Sequence, residues 1–359
     1  DCGVDLAAGT GNSLFGEGAG ADLSTGEHNV AVGYHALFQG TTESDDNVAI
    51  GYNAMSGAIT TQVVNDVVAI GSGAIAGAAE DEVSGSVAIG ASALAAVTTG
   101  AANVAIGYQA ATALTTGSSN TVIGHGAMDA ADGTEQGNVA IGINAMGAVD
   151  EVALAANYNV AIGVIALGGG ILGSSELSKN VAIGAYAVSS TATNPQIGTV
   201  GIGYDALGDL TTGVQNTGVG YQALSTLTTG DTNTALGYNA MYNTSGSGAY
   251  DSDDNTAIGA NSMNGNWESV KSTGNTAVGS GTMQGVMNAT TNNTAIGYQA
   301  GAAISTGDGN VLVGKGAGDG ITSGYENVCI GQNAGGVFDA ENSNVFIGRE
   351  AGGANNTAD

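Results

Sequence analysis

One short unit recurs along the chain and limits what it can fold into. A glycine stands at the same place in nineteen successive units, from Gly16 to Gly348, at intervals of 17 to 22 residues. Eight of the eighteen intervals are 17 residues long, which defines the basic repeat. Repeats of about 20 residues are typical of solenoids, in which each unit buries its apolar side against its neighbours. The sequence therefore predicts a stack of about nineteen short coils.

We number the positions of each unit from the residue four places before this glycine, so that Asn103 is position zero and Gly107 is position four of one unit. Position zero is asparagine in sixteen of the nineteen units. A glycine in every unit needs a backbone reason, either a positive φ angle or a close approach of another segment. Asparagine adopts left-handed conformations and forms side-chain ladders between stacked strands. We therefore predict that these two positions have a structural role. Examples are Asn47, Gly51, Asn103, Gly107, Asn293 and Gly297.

Positions one to three predict a β-strand. Position one is valine or threonine in every unit but the first, and position three is always apolar, mostly isoleucine. Position two points to the opposite face of the strand, yet it is never polar and is usually alanine. Two apolar faces are typical of strands that are buried on both sides. We therefore expect valine and isoleucine to fill one side, and the small position two to admit other copies of the chain.

The composition favours an all-β fold. Glycine accounts for 63 of 359 residues, proline for one, and 43% of the residues are apolar. Helical solenoids need units of about 30 residues or more, and propeller blades need about 40. The predicted fold is a parallel β-solenoid, or β-roll, of about nineteen coils. Residues 1–11 are a lead-in or truncated repeat, residues 12–292 have mostly Leu or Met at position eight, and residues 293–359 have Gly there.

The charge balance excludes several partners. The chain has 32 acidic residues against four Lys and Arg, a net charge of -28. Nucleic-acid binding needs clustered basic residues, so no nucleic acid is expected as a partner. No run of 18 apolar residues lacks glycine or a polar residue, so membrane insertion is not expected either. Cys2 and Cys329 form no metal or redox motif, and Cys329 replaces an alanine in a repeat, which predicts a buried apolar role.

Two groups of residues are candidates for binding. Acidic residues precede position zero in some units, and their oxygens suit Ca²⁺, although solvated loops are the alternative. Position five is tyrosine in seven units, and such a row either stacks on sugar rings or packs at a rim or subunit interface. The metal candidates are Asp45, Asp46, Asp251, Asp253 and Asp254. The surface-contact candidates are Tyr52, Tyr108, Tyr221 and Tyr238, facing a cell-surface glycan or protein receptor.

Catalysis and ice binding are not expected. The three histidines, His28, His35 and His125, lack a partner that would position a catalytic base. A glycosidase needs two carboxylates at a fixed separation, whereas the paired acids here lie in non-repeating loops. Apart from calcium, no cofactor is predicted. A row of threonines at position one is expected to be buried, which argues against an ice-binding face. These are Thr217, Thr234, Thr256, Thr276 and Thr294.

The unit Asn-Val-Ala-Ile-Gly, followed by an alanine three residues later, resembles the head repeats of trimeric autotransporter adhesins. It is similar also to the repeats of tail-fibre proteins of bacterial viruses. The resemblance runs from Asn12 to about Ala351 and implies a left-handed parallel β-roll, three copies of which pack as a homotrimer. Coils of 17 or more residues, with Tyr-Gln-Ala or Tyr-Asn-Ala after the glycine, look more like the viral version.

The expected function is that of a structural and adhesive fibre shaft, a viral tail fibre that extends from the particle and contributes to host attachment. A bacterial trimeric surface adhesin or an extracellular filament subunit is the alternative. A polysaccharide-degrading spike is more remote. The first two place the protein outside the cell, on a virion or on a cell-surface appendage.

Overall fold

The computed structural model describes residues 9–38, 43–57, 63–77, 83–148, 156–169, 176–190, 196–244, 252–267 and 270–353. Over these residues the chain is a parallel β-solenoid, and they contain no helix. The all-β prediction is confirmed. The chain divides into two compact units. The first is residues 1–180 with 192–195, and the second is residues 181–191 with 196–359.

The strands of the first unit are three residues long, except for one of two residues. They are β1 (Ser13–Phe15), β2 (Val30–Val32), β3 (Val48–Ile50), β4 (Val68–Ile70), β5 (Val87–Ile89), β6 (Val104–Ile106), β7 (Thr121–Ile123), β8 (Val139–Ile141), β9 (Val160–Ile162) and β10 (Leu177–Ser178). Strands β1 to β9 pair in parallel in chain order.

The second unit repeats this arrangement. Its strands are β11 (Val181–Ile183), β12 (Gln196–Ile197), β13 (Val200–Ile202), β14 (Thr217–Val219), β15 (Thr234–Leu236), β16 (Thr256–Ile258), β17 (Thr276–Val278), β18 (Thr294–Ile296), β19 (Val311–Val313), β20 (Val328–Ile330) and β21 (Val345–Ile347). Strand β11 pairs with β13, and β13 to β21 follow in order, all in parallel.

Pairing is in register, so equal positions of successive units form columns. In β3 and β4, for example, Ala49 lies opposite Ala69 and Ile50 lies opposite Ile70. The corner after the strand continues the pairing, since the Gly51 N–H donates to the carbonyl of Val32 in the coil before, at 2.8 Å. Each position of the unit therefore has one environment that recurs from coil to coil.

The core lies inside each coil and is narrow. In most strands position two is completely buried, whereas positions one and three are only half-buried. Positions seven, eight and eleven complete the core, as Ala110, Ala111 and Leu114 do in one coil. Alanine is small at position two because the opposite wall of its own coil is close. A Cβ on Gly218, at position two of its unit, would lie 3.1 Å from the carbonyl oxygen of Ala223.

Two predictions about orientation are wrong. Position two does not admit other copies, because it is the interior position, and valine and isoleucine at positions one and three face outward instead. The threonines at position one are not buried either, since all five are half-exposed on this outward face. They are Thr217, Thr234, Thr256, Thr276 and Thr294.

Candidate functional site: the outward sheet face and the tyrosine column

The asparagines of position zero form a buried ladder. The backbone N–H and Nδ2 of Asn120 both donate to Oδ1 of Asn103, at 3.0 and 3.1 Å. Nδ2 of Asn120 also donates to the carbonyl of Glu135, at 2.8 Å. Asn138 repeats the first two contacts with Oδ1 of Asn120. Asn47 and Asn293 occupy the same place in their coils. Each asparagine thereby links successive coils and holds one corner.

The glycines of position four form the opposite corner. Gly107 has a φ angle of 144°, and a Cβ there would lie 2.3 Å from the carbonyl oxygen of Gly124 in the next coil. Gly51 and Gly297 have the same geometry. Because both the dihedral angle and the close approach require glycine, this column has a structural role at the corner.

Positions one and three give the chain an apolar outward face. Val104 and Ile106 of β6 are half-buried by neighbouring strands, and the other interior strands repeat the pattern. No charged residue occupies position one or three in any of the nineteen units. Although the chain is acidic, columns of uncharged side chains therefore run along one side of each of the two compact units. We call these columns the outward face.

Position five carries the tyrosine column, directly after the glycine corner. Tyr34 and Tyr52 are parallel, with ring centroids 5.4 Å apart. In the second unit Tyr204, Tyr221 and Tyr238 form a continuous stack with centroid distances of 5.3 and 5.4 Å. The rings therefore stack on one another along the direction in which the coils stack.

The remaining members of the column pair with other side chains. Tyr108 stacks on His125 with centroids 5.2 Å apart, and the Lys315 Nζ lies 5.9 Å from the centroid of the Tyr298 ring. Of the four predicted contact residues, Tyr221 has a stacked ring on each side, whereas the other three have one. Tyr298 belongs to the row of seven tyrosines that the sequence places at position five, although it is not one of those four candidates.

The acidic candidates of the first unit bind protein groups. The Glu27 N–H donates to Oδ1 of Asp45 at 2.6 Å, which ties one loop to the loop of the next coil. Oδ1 of Asp46 lies 3.6 Å from Nδ1 of His28. Both carboxylates therefore link adjacent coils.

The acidic candidates of the second unit have similar contacts. The Asp231 N–H donates to Oδ1 of Asp253 at 2.9 Å, while Lys271 Nζ lies 2.5 Å from Oδ2. The Thr232 hydroxyl donates to Oδ1 of Asp254 at 2.6 Å. Asp251 lies outside the described residues. Among the described residues, no three His, Cys, Asp or Glu side chains are grouped to hold a metal ion. The calcium site stays a prediction.

Two further groups can be placed. Cys329 is completely buried, and burial raises the pKa of its thiol to about 11, so the thiol stays protonated. Its predicted core role is confirmed, whereas Cys2 lies outside the described residues. His35 is stacked between Tyr34 and Phe38, with ring centroids 3.9 and 4.0 Å away. This histidine therefore extends the aromatic surface at the start of the tyrosine column.

Comparison with protein-family models and with curated proteins finds no match to this chain. No helix long and apolar enough to cross a membrane occurs in the described part of the chain. The fold therefore defines the class, a repeat protein of the parallel β-solenoid type, and function has to be argued from its surfaces.

Proposed function

We propose that the chain is the structural and adhesive shaft of an extracellular fibre, built from several copies that pack through their outward faces. The observation that carries this proposal is the run of uncharged, half-exposed columns at positions one and three. Apolar patches of several hundred Å² on a soluble protein usually mark an interaction site.

The size of the outward face suits an interface between proteins. Nine three-residue strands spaced by about 4.8 Å give a strip of roughly 43 by 10 Å, or about 430 Å², in the first unit. The second unit has ten such strands and a similar area. The strip of each unit alone supplies about half of the roughly 800 Å² per partner that a standard interface buries. Each strip is therefore a substantial part of such an interface.

The periodicity of the face favours a second copy of the same chain as the occupant. The columns repeat at the strand spacing in both units, and an unrelated surface would match this period only locally. Another copy has the same period throughout, so that its ridges fit between those of the first. A homotrimer is proposed because the repeats resemble those of trimeric fibres, whose coils pack in threes.

We propose further that the fibre belongs to a virus tail, as the Tyr-Gln-Ala and Tyr-Asn-Ala repeats suggest, and that it is not an enzyme. Its action would depend on reach and on many weak contacts, which add through multivalency. A bacterial adhesin or extracellular filament subunit would use the same architecture. A neighbouring gene that encodes virion parts would favour the viral tail fibre. A neighbouring gene that encodes a membrane anchor would favour the bacterial adhesin or filament subunit.

The oligomer is tested by native mass spectrometry and light scattering of the purified chain. We expect the mass of three copies, and we expect Val104→Glu with Ile106→Glu to shift the protein toward monomer, because two charges would enter the apolar columns. Ala91→Glu, at position five, is the control, since Glu17 occupies that position in the first coil. A monomer that gives the circular dichroism of a folded β-protein would contradict the proposal.

A further inference from the structure

The tyrosine column is interrupted twice in the same way. In each of the two compact units, two tyrosines at position five are separated by two coils that have a small residue at position five. The first slot, as we call it, runs through Tyr52, Ser72, Ala91 and Tyr108. The second slot runs through Tyr238, Ala260, Ser280 and Tyr298.

In the first slot, the outer faces of both rings are covered. Tyr34 stacks on the side of Tyr52 that faces the preceding coil, and His125 stacks on the side of Tyr108 that faces the following coil. No ring contact in the described residues covers the two sides that face Ser72 and Ala91. The two open ring faces therefore point toward each other across the slot.

The second slot has the same arrangement. Tyr221 covers the outer side of Tyr238, and the Lys315 ammonium group lies over Tyr298 from the following coil. The inner sides face Ala260 and Ser280. No other ring contact among the residues that the structure describes covers the inner faces, so the two open faces lie opposite each other.

Exposure separates the slot tyrosines from the rest of the column. The four slot residues are 57%, 51%, 53% and 51% exposed, in the order Tyr52, Tyr108, Tyr238 and Tyr298. The other three are 41%, 46% and 45% exposed, in the order Tyr34, Tyr204 and Tyr221. Stacking on both sides accounts for the lower value of Tyr221. The slots are thus the places where ring surface in this column is most accessible.

The residues beside the rings are the same in both slots. The first wall reads Tyr-Asn-Ala-Met at residues 52–55 and at residues 238–241, and this tetrapeptide occurs nowhere else in the chain. The second wall reads Tyr-Gln-Ala at residues 108–110 and at residues 298–300. The chain therefore builds the same arrangement twice, ten coils apart.

The dimensions of the slots indicate the shape of a ligand. Three coil steps of about 4.8 Å place the two rings about 14 Å apart. Two further rings would complete the stack at this spacing. In the first slot the space beside Ser72 is open, since a Cβ on Gly73 would find its nearest neighbour, Oγ of Ser92, at 3.9 Å. In the second slot a Cβ on Gly281 would lie 3.3 Å from Cγ of Gln299 and from Oε1 of Gln284, so glutamine side chains line that slot. The spacing of the tyrosines suits two six-membered rings in each slot.

The chemistry of the slots indicates a neutral sugar. The negative face of an aromatic ring attracts the C–H groups of a pyranose, while the adjoining glutamine amides suit hydroxyl groups. Residues 52, 53, 72, 91, 108 and 109 include no charged side chain. The net charge of -28 disfavours an anionic ligand. We propose that both slots bind pyranose rings of a neutral oligosaccharide. This deepens the adhesive part of the proposed function, which it presupposes.

The test is titration calorimetry with neutral linear hexasaccharides of glucose, galactose, mannose and N-acetylglucosamine, and with their sulfated forms. We expect at least one neutral hexasaccharide to bind, and its sulfated form to bind more weakly. Replacing all four slot tyrosines by alanine should weaken binding by at least about tenfold. The fold tolerates alanine at position five, as Ala91 shows. Tyr158→Ala is the matched control, because Tyr158 is 57% exposed but lies outside the column.

A second variant separates the open ring faces from the rings themselves. Ser72→Tyr, Ala91→Tyr, Ala260→Tyr and Ser280→Tyr together would continue the stack through both slots. This variant keeps every tyrosine, so loss of binding would identify the open faces as the binding surface. The proposal is overturned if no neutral hexasaccharide binds, if either slot variant binds like the wild type, or if Tyr158→Ala loses as much. Light scattering on the same samples reports the oligomer separately, so the two proposals fail independently.

Discussion

Leu312 occupies the space that a side chain on Gly318 would need: a Cβ at residue 318 would lie 2.6 Å from Cδ2 of Leu312. Gly20 and Leu14 stand in the same relation in the first coil, at 2.8 Å. Coils with alanine at position two mostly have Leu, Met or Ile at position eight instead. Positions two and eight therefore share one volume inside the coil, and the two sequence subtypes fill it from opposite walls.

This relation predicts that the two positions can be exchanged. Leu312→Ala alone should destabilise the protein by about 2–5 kcal/mol, because it leaves a cavity. Gly318→Leu alone should destabilise it through overpacking. The double variant restores the pattern of other coils and should recover most of the loss. The free energy of unfolding in denaturant, measured for all four proteins, gives the coupling energy. Additive losses would contradict a shared volume.

The asparagine ladder should depend on its interior members. Asn310 donates from Nδ2 to Oδ1 of Asn293 and to the carbonyl of Gly324, and its own Oδ1 accepts two bonds from Asn327. Asn310→Ala would remove the bonds to the buried Gly324 carbonyl and from the Asn327 backbone N–H, at about 1–3 kcal/mol for each, while Oδ1 of Asn293 would still accept from the backbone N–H of residue 310. We therefore expect a large fall in the thermal unfolding temperature.

Asn344 is the control for this prediction. It donates to Oδ1 of Asn327 at 3.1 Å, at the end of the ladder, where solvent reaches part of the site. Asn344→Ala should lower the unfolding temperature much less than Asn310→Ala. Equal effects would show that the ladder position, and hence its burial, does not matter.

Much of the fold could be predicted because the same residue type recurs at the same position of the repeat, and the backbone conformation at that position requires it. The glycine of every unit marks a corner, and the valine and isoleucine around position two mark a strand. The conformations at positions six and eight could not be predicted, since Asn53 and Met55 have φ angles of 53° and 51° without being glycine. Tertiary packing imposes the left-handed conformation there, and propensity does not reveal it.

The direction in which the strand faces was predicted wrongly for a related reason. Both faces are apolar, so alternation alone does not tell the interior from the exterior. In most coils the interior position holds the smaller residue, as with Ala105, while the larger Val104 and Ile106 lie outside. In the candidate site, the tyrosine row could be read from the sequence, but its stacking depends on the register of the coils.

The glycine corner should tolerate no side chain. A Cβ on Gly107 would lie 2.3 Å from the carbonyl oxygen of Gly124, so Gly107→Ala must move the backbone of a neighbouring coil. We expect a loss of more than about 4 kcal/mol in the free energy of unfolding, or failure to fold. Gly85→Ala is the control. Gly85 has a φ angle of 71° but no atom within 4 Å of its Cβ site, so only about 1–2 kcal/mol of strain is expected.

Asp209 should make stability depend on pH. The surrounding protein removes part of its hydration and raises its pKa above 3.8, and the negative charge of Asp205 raises this pKa further. Asp205 is itself fixed, because its Oδ2 accepts hydrogen bonds from Gln222 and Ser225. Folding therefore carries an electrostatic cost whenever Asp209 is ionised. Asp209→Asn removes that cost and should stabilise the protein at neutral pH.

The sign of the pH dependence follows from the raised pKa. As the pH falls through the folded-state pKa, the folded protein binds a proton that the unfolded chain binds only nearer pH 3.8. The advantage of Asp209→Asn over the wild type should therefore be largest at neutral pH and shrink over this range. Asp22→Asn is the matched control, because Asp22 has the same position in its coil but Gly18 stands where Asp205 would be. Thermal unfolding of the three proteins between neutral and acidic pH measures the stability difference between Asp209→Asn and the wild type. A difference that grows on acidification would contradict the prediction.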